Sequence, residues 1–162
     1  GAFVAAPSPD LAEQILLARH TIELAVVKLA CQRCTPDDVL QLRHMIDLEQ
    51  SAIDQGDMAT ALRRSGEFHL QLAIVAGNQP FVHALRGLIS QTSLIITMYS
   101  HGGGNACAMD EHSHLLEAVK MGNEVRSQEL MAHHLGHIVE GCDFNQSPQV
   151  ANLKGAFAHL SS

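Results

Sequence analysis

Apolar residues recur at spacings of three and four along most of this chain, and the runs are interrupted by short clusters of Gly, Asn, Pro and Asp. Ser8 or Asp10 can cap a first helix from about Leu11 to Arg33, apolar around much of its circumference (Ile15, Leu16, Ile22, Val26, Val27) and therefore central or shared with a partner chain. Thr35-Pro36-Asp37-Asp38 has the cap, the N1 proline and the first-turn acids of a second helix, which runs through Leu42, Ile46 and Ile53 to Gly56. A third opens at Asp57 and stops at Gly77-Asn78; a fourth spans about Pro80 to Ser100. From Asp110 to Ile138 two more are separated at Gly122-Asn123, and a short one from Val150 to Leu160 would make seven. The expected fold is all-α: an antiparallel bundle of about six to seven helices enclosing a ligand or metal cavity.

Three histidines fall where a core residue belongs. His69 shares a face with Leu62, Ser65, Leu72, Ala73 and Ala76; His112 with Leu115, Leu116 and Val119; His134 with Met131 and Ile138. His133 and His137 align instead with Glu129 and Glu140, on the water side. An inward imidazole must be satisfied by a hydrogen bond or a metal. One such residue is more often a hydrogen-bonded core histidine, but three on separate helices form a candidate ligand set with an open coordination position.

Composition narrows the class. With 162 residues, 46% of them hydrophobic, no tryptophan and one tyrosine, the chain suits helices packed on helices in one domain. A formal charge of −7 argues against nucleic-acid binding by this chain itself. It shows no signal peptide and no membrane-spanning run, so a cytoplasmic protein is expected. Cys31 and Cys34 form a CxxC pair, but it closes an apolar helix rather than opening one after a strand, and no second pair completes a zinc site.

Several other polar residues sit on apolar stripes. Arg19 lies in line with Ile15, Ile22 and Val26 and needs an anion, either a protein carboxylate such as Glu23 or a bound ligand. Thr92, Ser93 and Thr97 either back-bond to their own helix or line a cavity. Gly66, inside the third helix, marks close approach by another backbone or a ligand. Residues 1–6, GAFVAA, read as the end of a strand from a missing unit, with Pro7-Ser8-Pro9 as linker.

The ordered stretches ARHTIELAVVKLA, SGEFHLQLA with AGN, DEHSHLLEAV and LMAHHLGHI resemble the FCD domain of FadR-type regulators in the GntR family of bacterial transcription factors. The resemblance covers roughly 10–142, leaving 143–162 as a tail and 1–9 as the end of a winged-helix DNA-binding domain absent from this chain, plus linker. It implies a non-enzymatic, homodimeric domain that senses a small organic acid and passes the signal to DNA-binding domains. It also implies a divalent metal, zinc or nickel, held by three histidines and an aspartate. The histidines map onto His69, His112 and His134, while Ser65 stands at the aspartate position, which removes an anionic donor and lowers the expected affinity. Three neutral imidazoles would leave the ion its full charge, to draw in an acidic effector whose candidate contacts are Arg19, Ser65, Ser93 and Thr97.

Two rival readings remain open. A tri-histidine zinc hydrolase needs a general base, yet no HExxH occurs and no carboxylate shares the inward stripes beside the three rings. A structural dimerisation module would keep the histidines as an empty hydrogen-bonded cluster. A di-iron bundle is excluded by its need for two Glu-x-x-His pairs, since Glu111-His114 is a single one.

Overall fold

A computed structural model of the chain describes residues 7–100 and 108–145. Six helices account for most of them: α1 (Pro9–Arg33), α2 (Pro36–Asp54), α3 (Met58–Val75), α4 (Gln79–Tyr99), α5 (Ala108–Lys120) and α6 (Glu124–Glu140). Among the described residues there is no strand, only one bridge between Ser100 and Cys142. The expected strand at 1–6 and the expected helix from Val150 to Leu160 lie outside the described residues.

The boundaries follow the local chemistry. Ser8 Oγ accepts from Leu11 N–H at 3.3 Å. Thr35 and Asp38 form a reciprocal capping box at 2.9 and 3.2 Å. Asp57, Asn78 and Asn123 cap α3, α4 and α6 one-way, each side chain accepting from the backbone N–H three residues on. Each such cap stabilises its helix by about 1 kcal/mol. Gly122 turns the chain between α5 and α6 at φ +65°, a conformation other residues adopt only at a cost.

Short turns make α2, α3 and α4 successive neighbours, and pair α5 with α6. Helix α1 packs on α3, α4, α5 and α6, which explains why it is apolar on several sides. The core it shares includes Val26, Phe68, Leu72, Leu85, Ile95, Leu115, Leu116 and Met131. One end is tied off by Tyr99, whose hydroxyl donates to Pro7 C=O at 2.7 Å and whose carbonyl accepts from Asp143 N–H at 2.9 Å.

Gly66 is approached by a side chain rather than by another backbone: a Cβ added there would lie 2.7 Å from Ile89 Cγ2 of α4. Among the described residues, Cys31, Cys34 and Cys142 are free. Cys31 Sγ pairs with Ser127 Oγ on α6 at 3.1 Å, and the Cys34 thiol donates to the Thr35 carbonyl.

Candidate metal centre

The three inward histidines meet. His69 projects from α3 beside Phe68 and Leu72, His112 from the first half of α5, and His134 from α6 beside Met131 and Leu135; all three are buried. The Nε2 atoms form a nearly equilateral triangle, 3.1 Å from His69 to His134, 3.2 Å from His112 to His134 and 3.3 Å from His69 to His112. Phe68 closes one side, its ring centroid 4.5 Å from that of His112.

Each ring is held from behind by its own carboxylate. His69 Nδ1 lies 2.6 Å from Glu23 Oε2, His112 Nδ1 2.8 Å from Glu49 Oε2, and His134 Nδ1 2.9 Å from Glu111 Oε2. No carboxylate was expected on the stripes that carry the three histidines; the structure brings three to the rings across helix interfaces. These acids come from α1, α2 and α5, so five helices build the centre. Glu49 left a trace in sequence, because it continues the buried stripe of Leu42 and Ile46. Glu23 was legible only as a partner for Arg19. Glu111 had no signal, since its importance depends on how α5 packs on α6.

An acceptor at Nδ1 fixes the tautomer. With the proton on Nδ1, every Nε2 is a bare lone pair, and three lone pairs aimed at one point within 3.3 Å repel unless a cation lies among them. Zinc–imidazole bonds of about 2.0–2.1 Å at tetrahedral angles set nitrogens roughly 3.3–3.4 Å apart. The residues present therefore fit a small divalent ion. The gap between the rings has the size of an ion and cannot hold a carboxylate.

Charge points the same way. Arg19 Nε donates to Glu23 Oε1 at 2.7 Å, and both side chains are buried. Burial pushes the Glu23 carboxyl up, but His69 and Arg19 together outweigh it and bring its pKa down to about 2. Burial drives His69 down to about 3 despite Glu23, and lowers His134 also. Three carboxylates, Glu23, Glu49 and Glu111, thus surround the three rings with one guanidinium among them, an excess of acidic partners that a divalent cation offsets.

The candidate effector contacts are spread out. Arg19 lines an open groove of about 340 Å³ between α1 and α6, walled by Leu16, Leu17, Leu135 and Ile138. Ser93 lines a different groove, about 420 Å³, between α3 and α4 with Gly66 and Ile89. The Ser93 hydroxyl donates to Ile89 C=O at 3.0 Å, and the exposed Thr97 hydroxyl to Ser93 C=O at 2.8 Å. Ser65 lies one turn before His69 and is half-buried.

A bundle of this kind, with an ion-sized nest of imidazoles backed by acids, defines a helical ligand-binding domain. The FCD domain family model matches residues 14–137, and the chain belongs to that family, the effector-binding and dimerisation domains of GntR-type regulators. Two solved structures share the fold. E. coli McbR/YncC aligns with a TM-score of 0.72 at 18% identity, over 83% of this chain and 68% of that one. Streptococcus agalactiae GntR aligns with a TM-score of 0.73 at 20% identity, over 85% of this chain and 62% of that one. None of the curated proteins matches the chain significantly in sequence. Among the described residues, no helix is long and apolar enough to cross a membrane.

Proposed function

We propose that this chain is the sensing half of a FadR-type regulator, in which His69, His112 and His134 hold zinc or nickel and a small organic acid acts as effector. The observation that carries the metal is the Nε2 triangle with a carboxylate behind each ring. When bound, the ion supplies a Lewis-acidic point with a free coordination position. The groove beside Arg19 supports the effector reading, because its walls are apolar and a guanidinium lies in its lining. DNA contact belongs to a winged-helix domain outside this chain, and a homodimer relays the signal. An effector shifts DNA binding only by its differential affinity for two arrangements of the helices.

Catalysis is disfavoured because the three acids nearest the ion site engage Nδ1 atoms. They hold the rings instead of facing the open position where a general base would work.

Protein purified without a nickel column should contain close to one equivalent of metal per chain, or take it up from dilute zinc. At a hundredfold excess over Kd, zinc would stabilise by about 2.7 kcal/mol, raising Tm by roughly 5–10 °C. A panel of small organic acids should then raise Tm further. Protein that neither carries nor binds zinc would establish the other reading, a structural cluster held by the three Nδ1–carboxylate bonds alone.

A further inference from the structure

Glu111 has two oxygens with different duties. Oε2 holds His134 Nδ1 at 2.9 Å, while Oε1 turns outward to His137 Nδ1 at 2.5 Å and His133 Nδ1 at 3.3 Å. His133 and His137 are one turn apart on α6, with ring centroids 4.1 Å apart, so a single helical face carries both. The candidate ligand atoms of these three residues all lie within 4.8 Å of one another. The His133 side chain is 65% exposed, that of His137 34% and that of Glu111 15%. The group is therefore open to solvent on one side and anchored to the interior on the other.

We infer that His133, His137 and Glu111 form a second divalent-metal site, at the surface, that takes zinc, nickel or copper(II). Two imidazoles and one carboxylate suit these ions over magnesium or calcium, which prefer all-oxygen shells. Three protein ligands leave positions for water, as expected of an ion that exchanges with solvent. The site is preorganised in two ways. Helix α6 fixes the spacing of the two rings, and the bond to His134 fixes the carboxylate, so ligation orders few groups not already ordered. Each ring binds through Nδ1 and leaves Nε2–H to water.

The shared carboxylate makes the two sites communicate. This part rests on the reading of the interior triangle as a metal centre. An ion on Oε1 draws electron density from Oε2, weakens its acceptance from His134 Nδ1–H, and so makes His134 Nε2 a poorer donor. The two ions also repel. Each therefore weakens the other by the same factor.

The test is zinc binding by equilibrium dialysis of the chain with metal quantified by mass spectrometry, for wild type, His133→Ala/His137→Ala and His69→Gln. Wild type should bind two equivalents and the surface double variant one, with its remaining equivalent held more tightly than in wild type. Equal stoichiometry and affinity in wild type and the double variant overturn the surface site. If His69→Gln binds as wild type does, the interior reading fails while the surface site stands. His69 is buried and its variant requires a check of helical content by circular dichroism. Should it misfold, copper(II) with electron paramagnetic resonance decides on the surface variant alone: coupling to two nitrogens must be lost from the outer signal, and its retention refutes the assignment.

Discussion

Glu49 Oε2 lies 2.8 Å from His112 Nδ1, across 63 residues of chain and between two different helices, and both side chains are buried. A buried acid costs stability unless it is matched, so its presence on the apolar face of α2 requires a reason. Orienting an imidazole toward the centre of the bundle supplies one. Glu49→Gln keeps the shape and an acceptor oxygen but loses the negative charge behind a candidate metal-ligating ring. Zinc affinity should fall about 10- to 100-fold with the fold intact, as calorimetric titration and circular dichroism would record. Unchanged affinity would mean that the carboxylate serves packing alone.

Much of this arrangement was legible beforehand, for a definable reason. Helical periodicity reports which side a residue faces, and that sufficed to place His69, His112 and His134 inside and His133 outside. It does not report which neighbour a face will meet. The acids behind the rings come from other helices, and the pairing of Glu111 with His134 exists only after α5 docks on α6. Arg19 shows the same limit. Its need for an anion was readable, and Glu23 was a named choice, yet that one carboxylate also grips His69 is a tertiary fact.

Arg19 gives the second prediction. Breaking a buried pair by removing one partner costs about 3–5 kcal/mol, and Arg19→Gln should destabilise the metal-free chain on that scale. Removal of the guanidinium also deepens the charge deficit at the centre, so the zinc-induced rise in Tm should be larger in the variant than in wild type. Thermal melts with and without zinc separate the two effects. An equal or smaller zinc response would contradict the charge argument.

Acid should unfold the metal-free chain progressively. From about pH 6.5, the ordinary value for His69, down to its folded value of about 3, the unfolded chain binds a proton there that the folded chain does not. From 4.5 down to about 2 the same holds for Glu23. More protons on the unfolded side mean that stability falls as pH falls, over a window from roughly 6.5 to 2. Thermal melts of chelator-treated protein should show Tm declining already between pH 6.5 and 5. His69→Gln should flatten that upper portion. A wild-type Tm flat to pH 4.5 would contradict it.

Ser65→Asp tests whether the third helix offers a fourth ligand. Ser65 is four residues before His69, on the same side of α3, and is only half-buried, so a carboxylate there can reach inward without full desolvation. An added anionic oxygen should tighten zinc binding, measured by competition with a chromogenic chelator. A loss of affinity would show that the side chain points away from the triangle.

Gly66 tests the packing that holds α3, and with it His69, in place. Alanine would gain up to about 1 kcal/mol of helix propensity over glycine. Its Cβ, however, would meet Ile89 Cγ2 at 2.7 Å, and that methyl is attached to a branch point one bond from the backbone, so it cannot swing aside as a long side chain would. Overpacking of this kind costs about 1–3 kcal/mol. The clash should win, and Gly66→Ala should lower stability by about 1 kcal/mol net. Ile89→Ala removes the obstructing methyl but opens a space of its own. The double variant should therefore be more stable than the sum of the two single changes predicts, by an interaction of about 0.5–3 kcal/mol in denaturant titrations. Simple additivity would mean that α3 and α4 do not meet at this point.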